Sequence, residues 1–442
     1  MSDVIIIGGG FAGLSAAVAL ADRGLKVSLF ERRPLLGGRA YSVKDQTTGD
    51  IIDNGQHILM GCYHHTRRFL EKIGTLPLLQ FQNRMRVDFA DANGNPYRLE
   101  CPDLPAPLHL LVGLIRLKSL SLKEKISLIR MMGKVKRMGE DELNRLDHLS
   151  ALQWLTLLGQ TRESIQNFWE PLIVGTINER PDLSSAKLLA VVLREALLKT
   201  KEEARMALST VGLSELYTEA ARRFVEERGG SVHLRKGLSK IESDRERVTR
   251  VFLEDGSERS SRFYLSSIPP DALAPLLNGN SASVFSNLDA FQFSPILSIN
   301  LWFDRPILDE RFVGLLNSPI HWVFNKGAIL SGSKNYVSLV VSAAYDLKDK
   351  TQDELTDLSL KALHEAIPAS RTAALRHCRI LKELKATPSL GPGSDALRPP
   401  AKTGLENFFL AGDWTATGLP ATIEGAVKSG HAAAELILEK CK

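Results

Sequence analysis

The stretch that most constrains this chain is its N-terminus, where the β-branched run Val4-Ile5-Ile6-Ile7 meets Gly8-Gly9-Gly10-Phe11-Ala12-Gly13 without a gap. An apolar run of this length reads as a buried parallel strand, and a glycine turn opening straight into a helix is a dinucleotide fingerprint. Gly8 permits the tight turn, Gly10 lets backbone approach a pyrophosphate, and Gly13 lets the helix over 14–21 pack close on the strand. Phosphates then rest on unpaired helix amides, those around Phe11 and Ala12. A second strand over 26–30 ends in Glu31, where a carboxylate accepts from a ribose 2′-hydroxyl and disfavours a 2′-phosphate. The glycines alone also fit a bare strand-to-helix turn; strand, helix, second strand and terminal acid together favour the nucleotide.

Composition narrows the rest. At 442 residues, 44% hydrophobic and 24% charged, the chain has material for a large core and two domains. A net charge of +5 is too mild to imply nucleic acid. The four cysteines, Cys62, Cys101, Cys378 and Cys441, form no CxxC pair, so neither a metal site nor a disulfide framework is expected, and a reducing cytoplasm fits. Asp3 stands where a signal peptide would be basic, and no apolar run reaches the roughly 18 residues of a membrane span. Membrane contact is therefore expected to be peripheral.

Beyond Arg39 comes Asp53-Asn54-Gly55-Gln56-His57, a strand that turns at Asn54-Gly55 and leads into a helix over 64–73. Such a turn brings backbone close to a ligand. Gln56 and His57 are thus candidates for a reaction chamber, with a hydrogen-bonded wall histidine as the plainer reading. Residues 78–101 alternate as short strands around a hairpin signal at Asn93-Gly94-Asn95. Helical spacing follows over 108–117 and 122–138, and between Gly113 and Arg137 eight basic residues stand against Glu124 alone, a local +7. Basic residues interleaved with Leu, Ile and Met fit an interfacial helix on anionic lipid. A solvated helix face is the competing reading; nucleic acid is disfavoured because no aromatics accompany the charge.

The pattern stays helical over 148–199, with Trp154, Phe168 and Trp169 spaced as core residues or as walls of an apolar cavity. Strand signals return at 231–234, which carries Val232, and at 238–242, 248–253 and 259–266, with a hairpin turn at Asp255-Gly256. Strands at 296–303, 336–342 and 379–384, with one helix at 353–367, suit an antiparallel sheet.

The order of glycine fingerprint, Glu31 and then Gly37-Gly38-Arg39 resembles the large group of FAD enzymes that contains amine oxidases and phytoene desaturases. So does the far end, where a strand delivers Gly412-Asp413-Trp414 and the chain continues from Thr415 to Val427. In that group the arginine lies beside the FAD pyrophosphate, as suits a planar cation. The aspartate bonds the ribityl or pyrophosphate region, a valine at the place of Val232 pairs its backbone with adenine, and a helix starting near Thr422 aims its positive end at the reduced flavin. The resemblance thus implies FAD held by Gly8, Gly10, Phe11, Ala12, Gly13, Glu31, Arg32, Gly38, Arg39, Gly55, Val232, Gly412, Asp413, Thr422 and Ile423. Read with 53–57, Phe168-Trp169-Glu170-Pro171-Leu172 and Val211-Gly212-Leu213-Ser214-Glu215-Leu216, nearly the whole chain is similar to the squalene-associated FAD-dependent desaturase family, the hydroxysqualene dehydroxylases of bacterial hopanoid pathways in particular.

That resemblance implies an α/β fold: a discontinuous Rossmann-type FAD-binding domain from 1–77, 205–270 and 390–442, with an α+β substrate domain from 78–204 and 271–389 whose helical lobe touches the inner face of the membrane. The implied substrate is hydroxysqualene, a C30 allylic alcohol; hydride from reduced FAD replaces its hydroxyl and water leaves, giving squalene. Hydroxide leaves badly, so a proton donor must assist. His57 is the candidate acid, or the organiser of an acidic water, Gln56 the candidate partner of the hydroxyl, and Trp414 lies either against the flavin or in the core. A carotenoid or phytoene desaturase is the runner-up. An amine oxidase comes third, since 412–427 has no cysteine for covalent flavin attachment and no evident amine cage. A non-catalytic flavin-binding lipid carrier is the reading from another class. The electron donor is not legible, with one dinucleotide fingerprint and no iron–sulfur cysteines.

Overall fold

A computed structural model describes residues 2–277, 285, 287–330 and 335–442. Strand Val4–Ile7 is buried along its whole length and lies in the middle of a five-stranded parallel sheet. The spatial order is Ser231–Leu234, Val27–Glu31, Val4–Ile7, Phe263–Ser266, Phe408–Leu410. Burial on both faces is why these strands read as unbroken apolar runs. Helix Phe11–Ala21 has ten of its eleven residues buried, so no single neighbour can cover it. Leu213–Glu226 and Ile423–Glu439 pack on it from different sides. Contact with the sheet is so close that a Cβ on Gly13 would lie 2.0 Å from Gly8 O, which only glycine avoids.

The expected strand over 259–266 is two strands. Exposed Glu258–Arg259 closes a three-stranded antiparallel layer with Leu238–Ser243 and Val248–Leu253, whereas Phe263–Ser266, buried throughout, crosses to the parallel sheet. The change from exposed charge to continuous burial marks the crossing.

The second large sheet has seven strands in the order Leu375–Pro388, Phe293–Phe303, Tyr336–Val341, Trp322–Asn325, Phe312–Leu315, Arg86–Ala90, Pro96–Glu100. Only Phe312–Leu315 with Arg86–Ala90 is a parallel pair. Its strands come from both sides of the helical region, so segments some two hundred residues apart in the chain form one layer. Helix Gln352–Ala366 buries Leu355 and Leu363 in a core with Leu297, Ile299 and Leu339. The helical lobe shares another core with Phe312, Phe324 and Val340.

Trp154, Phe168 and Trp169 belong to that second core, so packing rather than cavity lining holds for them. The Trp169 indole N–H is satisfied at 2.9 Å by Gln160 Oε1. Two π-helical turns, Ile165–Trp169 and Leu193–Leu197, interrupt the lobe's helices. No helix among the described residues is long and apolar enough to cross a membrane.

Candidate active site

Helix Phe11–Ala21 starts at Gly10 with no side-chain cap and no acid in its first turn. Its leading amides, those of Phe11, Ala12 and Gly13, and the positive end of the helix are therefore left to an anion. Gly8, with φ +102°, makes the turn, and Gly10 faces Gly38 across a gap that a side chain would narrow to 3.8 Å. Glu31 is buried beside this loop, with Oε2 accepting from Gly9 N and Oε1 from Arg33 N, each at 2.8 Å. Val232 lies in register with Leu29 on the edge strand next to that of Glu31.

Arg32 is exposed, and it is Arg33 that reaches the cradle, donating to Gly38 O at 2.7 Å. Both arginines lie in the bend that follows strand Val27–Glu31, so strand alternation does not tell them apart.

The two ends of the chain meet at Arg39, whose Nη2 lies 2.6 Å from Asp413 Oδ1 and whose Nη1 donates to Ala386 O at 2.8 Å. Gly412 N donates to Ser429 Oγ at 2.7 Å. Thr422 caps helix Ile423–Glu439 by accepting from Gly425 N at 3.1 Å. Glu424, in the first turn, turns away to accept from His65 N, Thr66 N and the Thr66 hydroxyl. Trp414 is 1% exposed, donates to Ile268 O and meets Phe291 edge-on at 5.7 Å. Its packing is that of a core residue.

Gly55 bends the chain so that a Cβ there would lie 3.9 Å from both His57 Nε2 and Ser298 Oγ of the long strand Phe293–Phe303. Residues 53–57 thus occupy the seam between the cradle and the seven-stranded sheet. Here Lys326, 2% exposed, donates to Asp53 Oδ2 at 2.8 Å and to Gln56 Oε1 at 2.5 Å. Asp53 also accepts from Leu213 N at 2.9 Å and the Ser42 hydroxyl at 2.7 Å. Burial pushes the Asp53 carboxyl up, but Lys326, the Leu213 amide and Ser42 together hold it below the usual carboxylate range.

His57 Nε2 is sealed from solvent without a hydrogen-bond partner among the described residues. Burial, with the charges of Lys326 and Arg39, lowers its pKa against the opposing pull of Asp53. A ring held neutral near pH 7 can donate or accept a hydrogen bond, which suits the organiser of an acidic water, the second of the two roles expected of His57. Lys326 escaped the sequence reading: it lies 273 residues from Asp53, and a lysine following a β-rich run is ordinary at a strand end.

An uncapped helix end, an acid at the strand terminus and the Arg39–Asp413 clasp fit a dinucleotide laid across the parallel sheet, and together they define an FAD-dependent oxidoreductase. The model for flavin containing amine oxidoreductases matches residues 11–438. The chain belongs to that family. It is 29% identical to a hydroxysqualene dehydroxylase of Sinorhizobium fredii, over 99% of each chain. It is 28% identical to the chloroplastic/chromoplastic 15-cis-phytoene desaturase of Glycine max, over 99% of this chain and 79% of the other. The crystal structure of an oxidoreductase from Methanosarcina mazei superposes with a TM-score of 0.76 at 16% identity, over 98% and 99% of the two chains.

Proposed function

We propose that the enzyme is a hydroxysqualene dehydroxylase, converting the allylic alcohol and FADH2 to squalene, FAD and water. The C–O bond breaks, a C–H bond forms and the oxygen leaves with a second proton. The observation that carries this reading is the donor array of Lys326 and Gln56 in the seam. Gln56 Nε2 is only 3.4 Å from His57 O, a long contact, and its other N–H has no acceptor among the described residues. A hydrocarbon offers such a group nothing, whereas an alcohol oxygen can accept from it. Similarity to a hydroxysqualene dehydroxylase across both full lengths supports the same substrate class.

FAD, when bound and reduced, supplies the hydride. The chain's own residues hold the cofactor at the cradle and the Arg39–Asp413 clasp, present an amide donor at the seam, and exclude water by burying His57 Nε2 and Lys326. The proposed division places the FAD-binding domain at 1–77, 205–270 and 390–442 and the substrate domain between these segments.

A substrate this apolar is delivered from a membrane surface, and the basic helices suit that task. Leu122 and Leu157 are 74% and 72% exposed, with Leu108, Ile115 and Ile126 also exposed nearby in sequence. Leu122, Lys123, Ile126, Arg130, Lys134 and Leu158 line an open groove of about 720 Å³. Glu124, the one acid, is buried in the capping box of Ser121 and also accepts from the Thr161 hydroxyl, which leaves the outer face basic. Apolar side chains among cations are what an anionic bilayer binds.

Anaerobic mixing of photoreduced enzyme with hydroxysqualene should reoxidise the flavin and yield squalene by mass spectrometry. Inertness to the alcohol, with bleaching of the oxidised enzyme by phytoene, would install the desaturase reading instead.

A further inference from the structure

We infer that Lys326 is a positioning residue for alcohol recognition, acting through Gln56, an inference that rests on the dehydroxylase reading above. A glutamine amide can face a pocket with either its oxygen or its NH2 group. Lysine has donors only, so the 2.5 Å contact from Nζ fixes which end of Gln56 is which: Oε1 is taken, and the NH2 group points away from the ammonium. Gln56 is thereby locked as a donor.

The lock is built rather than incidental. Lys326 heads the short helix Lys326–Ile329, whose preceding residue Asn325 caps it by accepting from Ala328 N at 3.1 Å. That places the lysine stem inside the fold with 1% of the side chain exposed, a position a long cation takes only when paired. Asp53 is the partner, itself fixed by Ser42 and by the amide of Leu213. Asp53 precedes Gln56 by three residues, so the counter-ion and the amide that Lys326 orients belong to one turn of chain.

Two further consequences follow. A cation on Oε1 polarises the amide and makes its free N–H a better donor to an oxygen that gains negative charge as the C–O bond lengthens. The neutral His57 next in sequence adds no competing positive charge at that oxygen. Lys326 need not touch the substrate to set which substrates are recognised.

The test compares the binding of hydroxysqualene and squalene to the oxidised, FAD-loaded enzyme, measured as perturbation of the flavin spectrum, with turnover measured alongside. Two variants serve. Gln56→Glu keeps an acceptor for Lys326 but has no N–H to offer, and Lys326→Met with Asp53→Asn removes the lock without leaving a lone buried charge. In each, the wild-type preference for the alcohol should fall about 10- to 100-fold, the range for losing a polarised hydrogen bond in a closed site, while squalene affinity and FAD content stay near wild type. General loosening of the site would weaken both ligands together and would leave their ratio unchanged.

If wild type turns over hydroxysqualene and both variants, FAD-loaded, keep the full alcohol preference, the role of Lys326 is refuted while the dehydroxylase reading stands. If wild-type enzyme neither prefers nor reduces the alcohol, the dehydroxylase reading itself falls and takes this inference with it.

Discussion

Asp53 and Lys326 form a buried ion pair, and its energetics can be separated from its role in substrate binding by a double-mutant cycle. Replacing Asp53 by Asn leaves Lys326, 2% exposed, as an uncompensated charge; replacing Lys326 by Met strands the Asp53 carboxylate. Removing one partner of such a pair costs about 3–5 kcal/mol. The double variant has no stranded charge, and the carboxamide oxygen introduced by Asp53→Asn can still accept from Leu213 N and the Ser42 hydroxyl. Its main loss is the donor to Gln56 Oε1, about 1 kcal/mol. The double variant should therefore be more stable than either single one, with a coupling of several kcal/mol. Urea unfolding of the FAD-loaded proteins, followed by far-UV dichroism and by flavin fluorescence so that coincidence of the two probes can be checked, reads this directly. Additive losses would refute the argument, since they would mean that the two groups titrate and relax independently. Because the folded-state pKa of Asp53 is depressed, its stabilisation is present above the unfolded value of about 3.9 and is lost as pH falls through the folded one. Asp53→Asn should flatten that acid limb.

Gly13→Ala should abolish FAD retention, because its Cβ would sit 2.0 Å from Gly8 O; the yellow colour of the purified protein after gel filtration reports it. Charge reversal of Lys123, Arg130 and Lys134, which line the exposed groove, should release the enzyme from phosphatidylglycerol vesicles and leave turnover of detergent-dispersed substrate intact; co-sedimentation at two salt concentrations checks both the binding and its screening. The pH profile of kcat/KM should show no inflection from His57 between about pH 6 and 8, since burial first, then Lys326 and Arg39, depress its pKa; a step there that vanishes in His57→Gln would contradict the neutral ring. His321, pushed by burial to about 4, and His431, pushed by burial and by nearby His65 to about 4, are held neutral in the fold. The unfolded chain takes up those protons first, so stability should decline as pH falls below about 6.5, and His321→Phe should make the thermal midpoint less dependent on pH over that window.

The FAD cradle was legible because it is local. Strand, turn, helix and acid lie within the first thirty-one residues, and each has a spacing that only one chemistry explains well. Even there, that Arg33 donates to Gly38 O while Arg32 is exposed has no signal in the spacing, because both arginines follow the end of strand Val27–Glu31. Trp414 was left open between flavin and core for want of its neighbour Phe291, which no pattern in the sequence connects to it. Arg39 and Asp413 were assigned separately, but their direct clasp across 374 positions was not. The least legible residue was Lys326. Its partner Asp53 lies on a different element, and a buried lysine looks in sequence like any exposed one. Local motifs write themselves into spacing; long-range pairs between single polar residues leave almost no trace.

The parallel sheet fills its last position with Phe408–Leu410, and helix Ile423–Glu439 then covers the first helix of the chain, Phe11–Ala21. On a ribosome, the opening strand and its apolar helix emerge about 20 to 80 s before the segment that shields them, at common elongation rates of roughly 5–20 residues per second. For that interval the nascent chain displays a greasy helix with no lasting cover and cannot yet close the Arg39–Asp413 clasp. Cofactor capture thus waits for the segment that carries Asp413 and the covering helix, and translation stalled near residue 400 should leave a product that engages chaperones and retains no FAD.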